Sequence, residues 1–588
     1  MKRFFIFLAF LFLFLLPTSF VFTLWSGKKN LERTKTFLLT GDFEKAQASA
    51  QSSSHSFGRV KACLSFLPPL ESFLQIEDWL EAGETLADAA FHLSKTGKSV
   101  EKIISVVLRG EDGDLKKITQ EARTELDLVW EELSLLEGTL KKKPIVKIPQ
   151  LREKIEIGRE FLSILPEILP EGRHSYLFLL QNNMELRPTG GFIGSYGLAI
   201  FENGRLLDFQ VEDVYTADGQ LKGHVEPPVP IKNYLGEAGW YLRDSNFDPD
   251  YPKTARNARW FFQKETGRVV DGVVAVNFFV IQKILEAIGP VKLGDYQETI
   301  TAENLFERAE YHSEAGFFPG STQKRDFLAN LARQLFQKIS PTGEWLKIGE
   351  VLFESLEEKQ ILIAFDDEKA MRIFTKLNWD GRILENVQCS TTNIQCVPDY
   401  LMVVESNFGV NKVNYFLTRK LAHKIELGRE IIEELTIDYK NNSPSQAWPG
   451  GNYKNYLRVY LPLGSRLSEA KIDEKILDPS KVDSSSASGK TTFGFLVDVP
   501  VGEEKEVGIK YKIPFRVDEV VFYSLLFQKQ SGTGKDLLTV LINYPSSLKV
   551  TKTAPNALTG PEAILYNTDL SRDRVFTIEL RQNEKAKT

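Results

Sequence analysis

Residues 181–201, QNNMELRPTGGFIGSYGLAIF, join two apolar strand patterns through a glycine-rich turn that carries Arg187. A second segment starts at residue 240, WYLRDSNFDPDYPKTARNARWFF, and leads into VDGVVAVNFFVIQKILEAIGPVKL, residues 270–293. Together they decide the fold. HSYLFLLQ (174–181) and GSYGLAIF (194–201) read as strands. Pro252 to Lys264 reads as a helix whose apolar side holds Ala255, Ala258, Phe261 and Phe262. VDGVVAVN is a buried strand, and FFVIQKILEAIG is a helix stopped at Gly289 and Pro290. Strand and helix alternate over 174–350, which predicts an α/β domain with its sheet covered by helices on both faces.

The polar residues in these segments crowd the strand ends. An arginine at 187 beside Gly190 and Gly191 suits a backbone that approaches an anion closely. Arg243 is followed by Asp244, Asn246, Asp248 and Asp250, a cation with oxygens of the metal-ligating kind. Arg325 opens the amphipathic helix KRDFLANLARQLFQKIS, and helix N-termini favour anions. This is the chemistry of a phosphate or carboxylate site. The plainer reading stays open beside it: Asp-Ser-Asn and Asp-Pro-Asp are turn formers, and an Arg–Asp pair is often a salt bridge.

The runs NNMELRPTGGFIGSYG, RDSNFDPDYP and DGVVAVNFFVIQKILEAIGPV resemble the bacterial domain of unknown function 4012 family, over residues 170–420. That family is in turn similar, over residues 174–340, to the LytR-CpsA-Psr enzymes. Those enzymes transfer glycopolymers from a polyprenyl-pyrophosphate carrier to the cell wall, with arginines on the pyrophosphate and an aspartate on magnesium. The resemblance implies Arg187, Arg243 and Arg325 on a pyrophosphate, with Asp244 as the ligand of Mg2+. Two departures weaken the enzyme reading. The acid expected two residues after the first arginine is absent from Arg187-Pro188-Thr189. Of the arginine pair expected on the last helix only Arg325 matches, Arg333 lying two turns on. Two functions are therefore carried forward. One is an envelope protein that binds a phosphate-bearing surface polymer or lipid-linked precursor through an arginine-lined cleft. The alternative is a magnesium-dependent transferase moving glycopolymer from polyprenyl pyrophosphate to the cell wall.

The rest of the chain bounds these readings. At 588 residues it holds several cores, and 42% hydrophobic with 26% charged residues is a folded composition. A net charge of -6 without a long basic run argues against nucleic acid. Phe4 to Trp25 is an uninterrupted apolar or neutral run, and a bilayer crossing needs about 20 residues. No A-x-A cleavage pattern follows, so residues 1–28 are expected to stay as a transmembrane anchor in the lipid bilayer. The flanking charges do not orient it; an extracytoplasmic location for the bulk of a single-pass cell-membrane protein rests on the resemblance.

Residues 29–170 read as a helical bundle or stalk. Leu115, Ile118, Ala122, Leu126, Val129, Leu133, Leu136 and Leu140 form one stripe, and the pattern is expected to break at Pro166 and Pro170. The α/β domain is placed at 171–420. From 421 to 588 short alternating strands at about ten-residue spacing read as a β-sandwich. Cys389 and Cys396 flank a polar loop, CSTTNIQC, and are either free thiols or a disulfide. SGTGKD at 531–536 fails as a phosphate-binding loop, since Lys529 holds the first glycine position and Asp536 the Ser/Thr position. Ser195 lies outside a nucleophile elbow, and the six histidines show no ligand spacing.

Overall fold

The computed structural model describes residues 2–65, 76–139, 148–314, 322–339, 345–385, 395–517 and 521–583, and for residues 2–18 the backbone alone. Among the described residues the chain begins with the helices α1 (Lys2–Leu39), α2 (Phe43–Ser65), α3 (Glu77–Arg109), α4 (Leu115–Thr139) and α5 (Ile148–Ile168). The apolar stripe of α4 is buried with Ile103 and Val106 of α3 and with Ile155, Leu162 and Leu165 of α5. The expected break at Pro166 does not occur. The helix runs on to Ile168, because a proline in the last turn forfeits a single backbone hydrogen bond.

The anchor is corrected as well. Among the described residues no helix is long and apolar enough to cross a membrane. This overturns the transmembrane helix at 1–28 and the single-pass cell-membrane location that followed from it. The side chains of residues 2–18, where most of the apolar run falls, lie outside the described ones. One side of the end of that run meets protein, Phe20 and Leu24 packing on Phe57, Val60, Leu64 and Leu80, while Val21, Phe22 and Trp25 stay exposed. The hydroxyls of Ser53 and Ser49 donate to the α1 carbonyls of Gly27 (2.8 Å) and Asn30 (3.0 Å).

The central domain holds a five-stranded sheet in the order β3-β2-β1-β4-β7. Its strands are β1 (Arg173–Arg187), β2 (Gly190–Glu202), β3 (Arg205–Asp213), β4 (Gly272–Asn277) and β7 (Ile361–Phe365). Only β1 and β4 run parallel, Leu179 opposite Ala275 and Gln181 opposite Asn277. Side-chain alternation splits this sheet into two cores. Leu177, Leu179, Val273 and Ala275 face Ala255, Ala258, Phe261 and Phe262 of α7 (Tyr251–Thr266), beside the short α6 (Val214–Asp218). Phe178, Val274 and Val276 face the opposite way. They meet α8 (Phe278–Ile288), α9 (Leu305–Glu314), α10 (Gln323–Ile339) and α11 (Trp345–Glu357). The small hairpin of β5 (Val291–Leu293) and β6 (Glu298–Ile300) joins that second core, while α12 (Glu368–Lys376) packs against α5.

The C-terminal half is a sandwich of two sheets. A seven-stranded sheet includes β8 (Gln395–Val404) between β11 (Tyr453–Pro462) and β17 (Val521–Gln528), with β22 (Arg574–Gln582) beside β17. An eight-stranded sheet includes the neighbours β9 (Leu417–Glu426) and β10 (Ile431–Asn441). Because β8 sits between β11 and β17, the sandwich begins upstream of residue 421, where the sequence reading placed its start. Cys396 is disulfide-bonded, Cys63 is free, and Cys389 lies outside the described residues.

Candidate functional site

The glycine-rich turn lies where the two domains meet. Near its end β1 slips register against β2, between Asn182 and Leu186, and carries Glu185 and Arg187 into the junction. Arg187 is 3% exposed. It donates to Glu185 Oε1 at 2.9 Å and to the carbonyl of Asn407 at 2.6 Å. Lys412, from the sandwich side, holds the other oxygen of Glu185. Burial opposes the charge of Glu185, yet Lys412 and Arg187 together keep its carboxyl below the usual value.

Arg243 stands in the single turn Leu242–Asp244 and is neutralised three times over. Asp218 lies at 2.8 Å, Glu237 at 2.7 Å and Asp244 at 3.3 Å. Burial works against the guanidinium, and these three carboxylates still raise its pKa. Asp244 is buried; desolvation pushes its carboxyl up to about 6 although Arg187 and Arg243 pull it down. Asp218 is pushed up to about 6 by burial against the pull of Arg243. Glu265 reaches about 8 through burial and the nearby Asp218.

The six sequence candidates thus part company. Arg187, Arg243 and Asp244 come together, but as ion pairs. Asn246 donates to the carbonyl of Gly191 at 2.8 Å and so braces the turn. Asp248 accepts the Asp250 N–H at 2.9 Å and points elsewhere, to the cleft described below. Arg325 is on the outside, paired with Asp326 (2.9 Å) and with Glu212 of β3 (3.7 Å). Its neighbour Lys324 is the residue that turns inward, donating to the Gly194 carbonyl and lying 3.4 Å from Asp213. A magnesium ion does not fit at Asp244. Its oxygen faces the Arg243 guanidinium, and no group of three His, Cys, Asp or Glu that could hold a metal occurs among the described residues.

The two glycines have a structural reason. The loop Lys529–Gly534 of the sandwich, which contains the SGTG discarded above, docks on the turn, with Ser531 bridging Thr189 in parallel. A Cβ at Gly532 would stand 2.6 Å from Gly190 Cα, and one at Gly190 only 1.9 Å from Gln181 Oε1. Gly190 adopts φ +140° and Gly532 φ +81°. Only a residue without a side chain permits such an approach.

A second feature was missed by the sequence reading. Between the central domain and the sandwich lies a cleft of about 340 Å³, lined by Trp240, Phe247, Tyr456, Arg458, Tyr460 and Asp483, with Asp248 at its wall. Three arginines are classed as buried among the described residues: Arg187, Arg419 and Arg458. Arg187 has Glu185, and Arg419 has Glu405 (3.0 Å) and Asp536 (2.6 Å). Arg458 has no carboxylate within 4.0 Å among the described residues. Its guanidinium lies 4.4 Å from the centre of the Phe247 ring, donates to the Phe247 carbonyl at 2.9 Å, and leaves Nε without a partner. The nearby carboxylates are engaged. Asp483 accepts the Tyr456 hydroxyl at 2.8 Å, and Asp248 also has Lys253 at 3.7 Å. The signal was present in YLRVYLP. Tyr456, Arg458 and Tyr460 alternate on one face of β11, a cation between two tyrosines inside a stretch otherwise built for burial.

Residues 171–312 match the model of the family described as "Protein of unknown function (DUF4012)". No curated protein matches the chain. Among solved structures, a candidate nutrient-binding protein from Legionella pneumophila shares 6% identity, over 32% of this chain and 73% of its own, with a TM-score of 0.22. An M1 zinc metallopeptidase from Deinococcus radiodurans shares 12% over 28% of this chain and 43% of its own, at 0.18. Leukotriene A4 hydrolase from Saccharomyces cerevisiae shares 9% over 28% and 29%, at 0.20. At TM-scores this low none of the three guides fold or function.

Proposed function

We propose that the chain is a non-enzymatic binding protein that takes a phosphate-bearing glycan in the cleft between its central domain and its sandwich. The observation that carries this reading is Arg458, a buried guanidinium on the cleft wall with no carboxylate partner among the described residues. A buried charge without a counter-ion is costly, and an anionic ligand lowers that cost. The planar guanidinium matches a phosphodiester bidentately, and its stacking on Phe247 fixes its plane. Phe247, Tyr456 and Trp240 offer aromatic faces for sugar rings, while Asp248 and Asp483 offer acceptors for hydroxyls.

The transferase reading attached to the LytR-CpsA-Psr resemblance has less support. It calls for free guanidiniums and an aspartate on one open cleft. Arg187 and Arg243 are instead neutralised by Glu185 and Asp218, and Arg325 lies with Glu212. The resemblance therefore informs the ligand class, a phosphate-bearing polymer, more than the reaction.

Calorimetric titration with oligomeric poly(glycerol phosphate) tests the proposal. The wild type binds, and Arg458→Gln lowers affinity at least tenfold, the order expected for a charge-assisted bidentate contact. No binding by the wild type, or equal binding by the variant, overturns it. Equal affinity for an uncharged oligosaccharide removes the phosphate from the reading.

A further inference from the structure

We propose that the loop Lys529–Gly534 is a lid closed over a second binding position, at the carboxyl ends of β1 and β4, which takes a hydroxyl-rich ligand. The inference is independent of the Arg458 cleft. In helix-covered sheets ligands collect beyond the carboxyl ends of parallel strands, and β1 and β4 are the one parallel pair of the central sheet. The loop occupies that position. Ser531 Oγ donates to the Lys359 carbonyl (2.6 Å) and accepts from Asn277 Nδ2 (3.1 Å). Asn183 Nδ2 donates to the Gly532 carbonyl (3.0 Å), Gln360 Nε2 to that of Thr533 (2.8 Å), and Gln530 Nε2 to that of Arg187 (3.1 Å).

Three features separate a lid from a permanent joint. Every contact just named is a hydrogen bond, so lifting the loop exposes polar groups that water satisfies at once. The loop also keeps its shape by itself. Lys529 Nζ donates to the carbonyls of Gln530 and Thr533 (both 3.0 Å), and Thr533 Oγ1 donates to Gln530 O (2.9 Å).

The third feature is that the loop fits its seat incompletely. Gln181 Nε2, Asn183 Oδ1, Thr189 Oγ1 and Asn277 Oδ1 are buried beneath it without hydrogen-bond partners, on residues 1–2% exposed. Buried polar atoms are nearly always paired, so a seat with four orphans is shaped for an occupant richer in hydrogen bonds than a backbone loop. The orphans mix a donor with acceptors, and none belongs to a charged side chain. A hydroxyl both donates and accepts, which makes a polyol or sugar the complementary class.

Amide hydrogen exchange on the full chain tests the lid. Gly190–Phe192 and Ser531–Gly534 should exchange through an opening that leaves β4 protected, at least tenfold faster than Gly272–Asn277. Exchange of both segments only together with β4 makes the loop a fixed joint and overturns the lid. A Thr189→Cys/Ser531→Cys pair, oxidised, should abolish the fast exchange and restore it on reduction; fast exchange persisting in the oxidised pair overturns it too. Millimolar maltotriose is the ligand probe. It should raise exchange in Ser531–Gly534 of the wild type and of Arg458→Gln, but not of the oxidised pair. No change in the wild type overturns the ligand assignment, and loss of the effect in Arg458→Gln assigns the probe to the aromatic cleft instead.

Discussion

Arg243 Nη1 stands 2.8 Å from Asp218 Oδ2, and the second oxygen of Asp218 is buried without a partner. The guanidinium is thus what makes that carboxylate tolerable inside the protein. Arg243→Ala leaves Asp218 buried without its adjacent counter-ion and Asp244 with only the more distant pull of Arg187. The expected loss is about 3–5 kcal/mol, the range for breaking a buried pair from one side. Urea denaturation measures it. Unchanged stability would return Arg243 to the role of an anion clamp.

The same cluster sets a pH dependence. Burial raises Asp218 and Asp244 to about 6 and Glu265 to about 8. Each folded value lies above the ordinary carboxylate value, so the folded state holds these protons more tightly than the unfolded chain. Their contribution is fully present below the unfolded pKa, near 4, and is lost as pH rises through 6 and then 8. Stability should fall between about pH 4 and 8, steeply to pH 6 and then through Glu265 alone, by no more than about 1.4 kcal/mol per pH unit for each group. Glu265→Gln removes the part of that fall between pH 6 and 8, which urea midpoints at those two pH values will show. A stability that rises over this interval contradicts the assignment.

Two glycines separate close approach from mere backbone freedom. Gly190→Ala places a Cβ 1.9 Å from Gln181 Oε1 and 2.1 Å from Asn277 Oδ1 at φ +140°. It should cost roughly 2–4 kcal/mol. Gly110 ends α3 at φ +69° with nothing within 4 Å of its Cβ position. Gly110→Ala should cost about 1 kcal/mol, the conformational part alone. Equal costs would mean that the docking of Lys529–Gly534 places no constraint on the turn.

The sandwich offers a truncation test. Residues 395–583 contain β8, which pairs with β11 on one side and β17 on the other. That fragment should unfold in one cooperative transition with a strand-dominated circular dichroism spectrum. A fragment of 425–575 lacks β8 and most of β9 and β22, and should give no cooperative transition. Cooperative unfolding of the shorter piece would show that β8 is dispensable.

Periodic patterns were legible because burial imposes them residue by residue. The stripe Leu115 to Leu136 on α4, the apolar side of α7 and the alternation of β10 all rest on local spacing. Partnerships across domains leave no such trace. Nothing in the sequence pairs Arg187 with Asn407, or Asn277 with Ser531, and the motif around SGTG looked inert because its use is to be a backbone of small residues. The arginines misled for a related reason. Arg325 joins Arg187 only through the family resemblance and its place at a helix N-terminus, while Glu212 of β3 lies within its reach on the outer side. The membrane expectation failed where an apolar stretch, read alone, cannot tell protein neighbours from lipid; Phe20 and Leu24 have the former.

The contact between Asn183 and Gly532 spans 349 residues of chain. At about 5–20 residues per second of synthesis, Asn183 emerges roughly 17–70 s before the loop residue that it meets. Through that interval the nascent domain presents an uncovered row of amide side chains to the cytosolic milieu at the ribosome. Small polar solutes thus meet the carboxyl ends of β1 and β4 before the chain's own loop does, and the order of translation leaves that end of the sheet open until the sandwich segment Lys529–Gly534 has been made.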